Sequence, residues 1–170
     1  PPQTAPTPVF SENRHFKAYP SKRQEIVLLK MQRGHQLWWN QILEWTLADF
    51  EQKSLKTGMS GLVKYSKEIV LYRNILKRLD PDNPMLTLSI GSLSMILKKQ
   101  LVSWDRVFYA LKQNKKSGST QSIGKPRFKS RRDCRSESIP FVFDKRFAST
   151  AVHLTGRKSE AWISVPLLDK

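Results

Sequence analysis

The chain has 170 residues and carries 30 Lys and Arg against 14 Asp and Glu, a formal net charge of +16 at pH 7. Its 39% apolar content is enough to bury one core or two small ones, no apolar run reaches the length of a bilayer-spanning helix, and a single cysteine, Cys134, excludes an internal disulfide. A pI near 10.2 points to a polyanionic partner, with nucleic acid the usual one.

The chain opens PPQTAPTP, with neither the basic nor the apolar region of a secretory signal, and the lone cysteine fits a reducing compartment. We therefore expect a cytoplasmic protein with no membrane partner. A basic membrane-surface protein is the competing reading, and it needs an amphipathic helix with a basic polar face. Residues 1–13 read as a disordered, Pro-rich arm. In 14–19 the sequence RHFKAY alternates across two faces, which predicts a short strand that Pro20 stops.

Ser21 then caps a helix over about 22–52, with Gln24 at capping-box spacing. Its stripe is Leu28, Met31, His35, Trp38, Ile42, Trp45 and Asp49, and Gly34 marks a kink or a close contact. Trp39 lies off the stripe, as either a stacking platform or a packing residue against another module. A loop is expected over 53–61 and a second helix over 66–79, with Ile69, Tyr72, Leu76 and Leu79 inward. Asp80 to Pro84 ends that helix, and the two aspartates are turn residues. A third helix follows from Ser89 or Gly91 to Gln113, with Ile90, Leu93, Leu97, Leu101, Trp104, Phe108 and Leu111 as its stripe. These helices should pack as a small antiparallel bundle.

Beyond Asn114 the helical period stops. Alternating apolar positions predict strands over 137–143, 150–154 and 161–167. With the strand at 14–19 they would close a small antiparallel β-barrel around the helical insert. The expected fold class is α+β, divided into an arm (1–13), a first strand (14–20), a helical domain (21–114) and a basic segment with the remaining strands (115–170).

Half of the net charge sits in one stretch. From Lys112 to Arg135 there are nine Lys or Arg against Asp133, which is +8 in 24 residues. A solvated basic linker is the plain alternative. Phe128 between Arg127 and Lys129, with Pro126 fixing the backbone before it, instead suits a docked extended segment. Catalysis finds no residues here. His15, His35 and His153 are far apart and one cysteine cannot complete a zinc set. No G-x-S-x-G, P-loop or H-E-x-x-H occurs. The catalytic and metal sets are empty, and no cofactor is expected in this chain.

Three stretches in order, KAYPSKRQE leading to Trp38-Trp39-Asn40, then SLSMILKKQLVSWDRVFYAL with Asp105 to Phe108, then GKPRFKSRRDCRS, resemble the N-terminal region of TnpB (OrfB-type) transposon proteins. These are RNA-guided DNA endonucleases related to type V CRISPR effectors. The resemblance covers roughly residues 17–138. It implies a wedge β-barrel interrupted by a helical recognition domain, holding guide RNA and double-stranded target DNA. The family's RuvC-like cleavage centre, with its magnesium-binding carboxylates, would lie beyond Lys170. Cleavage would belong to a C-terminal nuclease half, and magnesium with it.

Composition, pattern and resemblance together mark Arg14, Lys17, Tyr19, Lys22, Arg23, Trp39, Lys98, Lys99, Arg106, Lys112, Lys115, Lys116, Lys125, Arg127, Phe128, Lys129, Arg131, Arg132 and Arg135 as nucleic-acid-binding residues. Two other readings stand beside the RNA-guided one. One is a stand-alone DNA-binding module of a transposase, with a helix in the major groove. The other is a structural RNA-binding protein.

Overall fold

The computed structural model describes residues 20–118 and 123–132, together with the backbone of two short strands. The helices are α1 (Lys22–Glu51), α2 (Gly58–Leu79) and α3 (Ile90–Ser117), with a 3-10 turn at Pro84–Thr87 before α3. The strands, β1 (His153–Thr155) and β2 (Trp162–Ser164), form an antiparallel ribbon in which Leu154 faces Ile163.

Several helix boundaries have a local cause. Ser21 and Gln24 close a reciprocal capping box, with the Ser21 hydroxyl accepting from the Gln24 amide and the Gln24 side chain accepting from the Ser21 amide. At α3 the Ser89 hydroxyl accepts from the Ser92 amide, at 3.1 Å. Gly118 stops α3 in the left-handed conformation, φ 65°, which a residue without Cβ adopts freely. Asn83 accepts from the Met85 amide and starts the 3-10 turn.

α2 runs antiparallel to α1: Asp49 of α1 meets Lys64 and Tyr65 near the start of α2, while Trp38 lies edge-on to Tyr72 further along. α3 ascends beside α1, since Gln100 reaches Trp39, and Trp104 and Phe108 meet Phe50. The core is aromatic and aliphatic: Trp38, Ile42, Tyr65, Leu93, Ile96, Leu97 and Trp104 are fully buried. Gly34 is the close contact, not a kink. A Cβ there would sit 2.3 Å from the Pro84 carbonyl oxygen, so only glycine lets the 3-10 turn lie on α1. The Trp38 indole N–H then donates to the Met85 carbonyl at 2.7 Å.

The α+β barrel expected from the sequence does not fit. The described residues form a helical bundle, and their only strands are three residues long and pair with each other alone. Two short strands leave both edges open and cannot close a barrel. The strands expected over 14–19 and 137–143, and the arm over 1–13, fall outside the described residues. Within the helices, three expectations shift. α2 starts at Gly58 rather than residue 66, and Leu79 is 79% exposed rather than inward. At the ends of the α3 stripe Ile90 and Leu111 are exposed, and Phe108 is partly exposed even though its ring meets Phe50 of α1.

Candidate nucleic-acid interface

α1 is amphipathic in the usual sense on one side, where Met31, Trp38 and Ile42 enter the core. On another it carries Gln36, Trp39 and Asn40, polar and aromatic groups that i, i+3 and i, i+4 spacing brings together. That face holds the basic segment. Its course begins at Ile123, which packs against the cluster of Leu43, Trp104 and Val107. The segment then runs antiparallel to α1, with the Lys125 ammonium 4.8 Å above the Phe50 ring centre.

At Arg127 the Trp39 indole N–H donates to the backbone carbonyl, at 2.9 Å. Two residues on, Asn40 closes on both sides of Lys129: its amide oxygen accepts from the Lys129 N–H at 2.8 Å and its NH2 donates to the Lys129 carbonyl at 3.0 Å. Gln36 donates to that same carbonyl at 2.8 Å. The Lys129 ammonium sits 3.7 Å from the centre of the Trp39 ring, a cation–π contact on a half-desolvated face. Four hydrogen bonds therefore fix the backbone from Arg127 to Lys129. The side chains of Lys125, Arg127, Phe128, Arg131 and Arg132 remain exposed.

α3 supplies a second cationic surface. Lys98, Val102, Asp105, Tyr109, Lys112 and Lys116 follow one another at alternate spacings of four and three, and form one exposed stripe. Lys99 and Arg106 lie beside it, and Tyr109 is 67% exposed within it. Among the described residues no carboxylate pairs with the exposed cations of the basic segment or of this stripe. Among the described residues an ion pair instead joins Lys64 of α2 to Asp49 of α1. There burial would push the Asp49 carboxyl up, but hydrogen bonds from Lys64 and Tyr65 and the Lys64 charge hold it below its ordinary value. Burial, with Asp49 as acceptor, pushes the Tyr65 phenol well up, so it serves as a donor at any working pH.

The marked residues thus divide. Lys98, Lys99, Arg106, Lys112, Lys115 and Lys116 are exposed along α3, and Lys22 and Arg23 are exposed in the first turn of α1. Lys125, Arg127, Phe128, Arg131 and Arg132 project from the held segment. Trp39 is only 9% exposed and one face is covered by Lys129, so it is a packing residue and not an open platform. Lys129 is correspondingly spent on Trp39 rather than presented outward. Arg14, Lys17, Tyr19 and Arg135 lie outside the described residues. Gln36 and the clasp made by Asn40 escaped the sequence reading. The available signal was a Gln and an Asn one helical turn apart beside an off-stripe tryptophan.

No family model, no curated protein and no solved structure matches the chain. Among the described residues no helix is long and apolar enough to cross a membrane, and no group of three His, Cys, Asp or Glu is placed to hold a metal ion.

Proposed function

We propose that this chain binds nucleic acid through the held basic segment, with the cationic stripe of α3 as a second contact surface. The observation that carries the reading is the clasp. Gln36, Trp39 and Asn40 fix a cationic backbone in place while Arg127, Arg131 and Arg132 point outward. A solvated linker has no need of four hydrogen bonds to a helix. A preorganised row of guanidinium groups loses less freedom when it meets phosphates.

In its finer form the proposal is the RNA-guided DNA-binding part of a TnpB-like effector, holding guide RNA and double-stranded target DNA in the prokaryotic cytoplasm near the nucleoid. Cleavage, and the magnesium it needs, would belong to a C-terminal nuclease half. What supports this form is that two of the stretches behind the resemblance, Trp39-Asn40 and Pro126 to Lys129, lock onto each other. A major-groove helix is less well supported, because Ser92 and Leu93 in the first turn of α3 are buried. Sequencing the RNA that co-purifies with the chain tests the finer form. One structured RNA with a constant scaffold and a variable end is the expected recovery; a smear of host RNA, or duplex binding with none, would overturn it.

A further inference from the structure

Scattered apolar residues on a protein surface are ordinary. Phe128 differs in how it is held. Lys129 is drawn inward onto Trp39 while its N–H and C=O are both taken by Asn40. Phe128 is 57% exposed, on a backbone fixed at the residues on either side of it. The ring has exposed Arg127 beside it and Arg131 three residues on, and no acid occurs from Gly124 to Arg132. An exposed aromatic face on a segment whose charges are all positive suits a partner that combines a flat apolar ring with negative charge at both ends.

We propose that Phe128 is a stacking site for an unpaired nucleobase, with Arg127 and Arg131 taking the phosphates that flank it. The inference rests on the nucleic-acid reading above and narrows it to single-stranded RNA or DNA, because bases inside a duplex offer no free face. The fixed backbone matters to it: a ring on a mobile tail would lose freedom on stacking that this one has already given up.

The test measures binding of the whole chain to four labelled probes: a 12-nucleotide RNA strand, the matching DNA strand, an abasic strand of equal length, and a paired duplex. The wild-type chain is expected to bind the base-bearing strands more tightly than the abasic one. Phe128→Leu, which keeps an apolar side chain but no ring, should close that gap, a loss of about 5- to 150-fold for the base-bearing strands. Phe128→Trp should keep it, and all three proteins should melt alike, since the ring is mostly outside the core. A 2′-hydroxyl plays no part in stacking, so the gap belongs to both strands, and whichever binds more tightly identifies the native partner. Equal binding to base-bearing and abasic strands, or an equal loss on the duplex in Phe128→Leu, overturns the stacking site while leaving the basic surface intact. A wild-type chain that binds none of the four overturns both readings.

Discussion

Asn40 does with one side chain what a neighbouring strand does with its backbone: it satisfies the N–H and the C=O of a single residue, Lys129. Replacing it with alanine takes away the acceptor of the Lys129 N–H, leaves the carbonyl to Gln36, and removes two hydrogen bonds, each worth about 1 kcal/mol net. The Lys129 amide should therefore be protected from hydrogen exchange in the wild-type chain and exchange freely in Asn40→Ala, with the α1 amides unchanged. Protection that survives the substitution would mean the segment is held by something else. Asp49 permits a second prediction. Its carboxyl is held low in the folded chain, so it adds stability above its unfolded pKa, and that stability is lost as pH falls through the folded one. Glu68, pushed up chiefly by burial, has the opposite sign. Asp49→Asn should flatten the acid limb of a stability–pH profile below about pH 4 and lower stability at pH 7 by about 1–3 kcal/mol, because Lys64 and Tyr65 lose a charged acceptor. An unchanged acid limb would count against the network. In the sequence Asp49 is only a polar interruption of an apolar stripe. Its partners lie 15 and 16 residues away, across a loop, where helical periodicity says nothing.

α1 and α3 were legible because each opens on a Ser cap and carries an apolar stripe, and the end of α2 because Asp80-Pro81 stops it. The start of α2 was not. Gly58, Met59, Ser60 and Gly61 read locally as loop, yet Gly61 is buried against α3, with Leu101 3.3 Å from where a Gly61 Cβ would stand, and tertiary packing overrides weak propensity. The strands failed as evidence for a barrel for the converse reason. Alternation over five to seven residues fits many arrangements, and β1 and β2 pair over three residues each. Two predictions belong to the packing of these elements. Gly34→Ala should destabilise by about 1–3 kcal/mol, against its helix propensity, because the new Cβ collides with the Pro84 carbonyl; a more stable variant would show that the 3-10 turn can move away. Trp38→Ala, which empties a fully buried site and frees the Met85 carbonyl, should lower stability by about 3–5 kcal/mol in denaturant unfolding.

At the scale of the whole molecule the sequence showed where the charge is dense but not how it is held. Nothing in the run from Lys112 to Arg135 announces that Lys129 turns inward and Arg127 outward, because the residues that decide it sit some 90 positions earlier on α1. That division changes what charge removal should do. Arg127, Arg131 and Arg132 are exposed and available to phosphates, whereas Lys129 is engaged with Trp39. The most direct test is RNA affinity measured against salt concentration for the wild-type chain, for Lys129→Ala, and for the triple variant Arg127→Ala, Arg131→Ala, Arg132→Ala. Each phosphate contact to a single strand contributes about 0.7 to the slope of log affinity against log salt, so the triple variant should flatten it by about 2, and Lys129→Ala should leave it nearly unchanged. A slope untouched by the triple variant, or reduced as much by the lysine alone, would contradict a clasped segment that presents its arginines to nucleic acid.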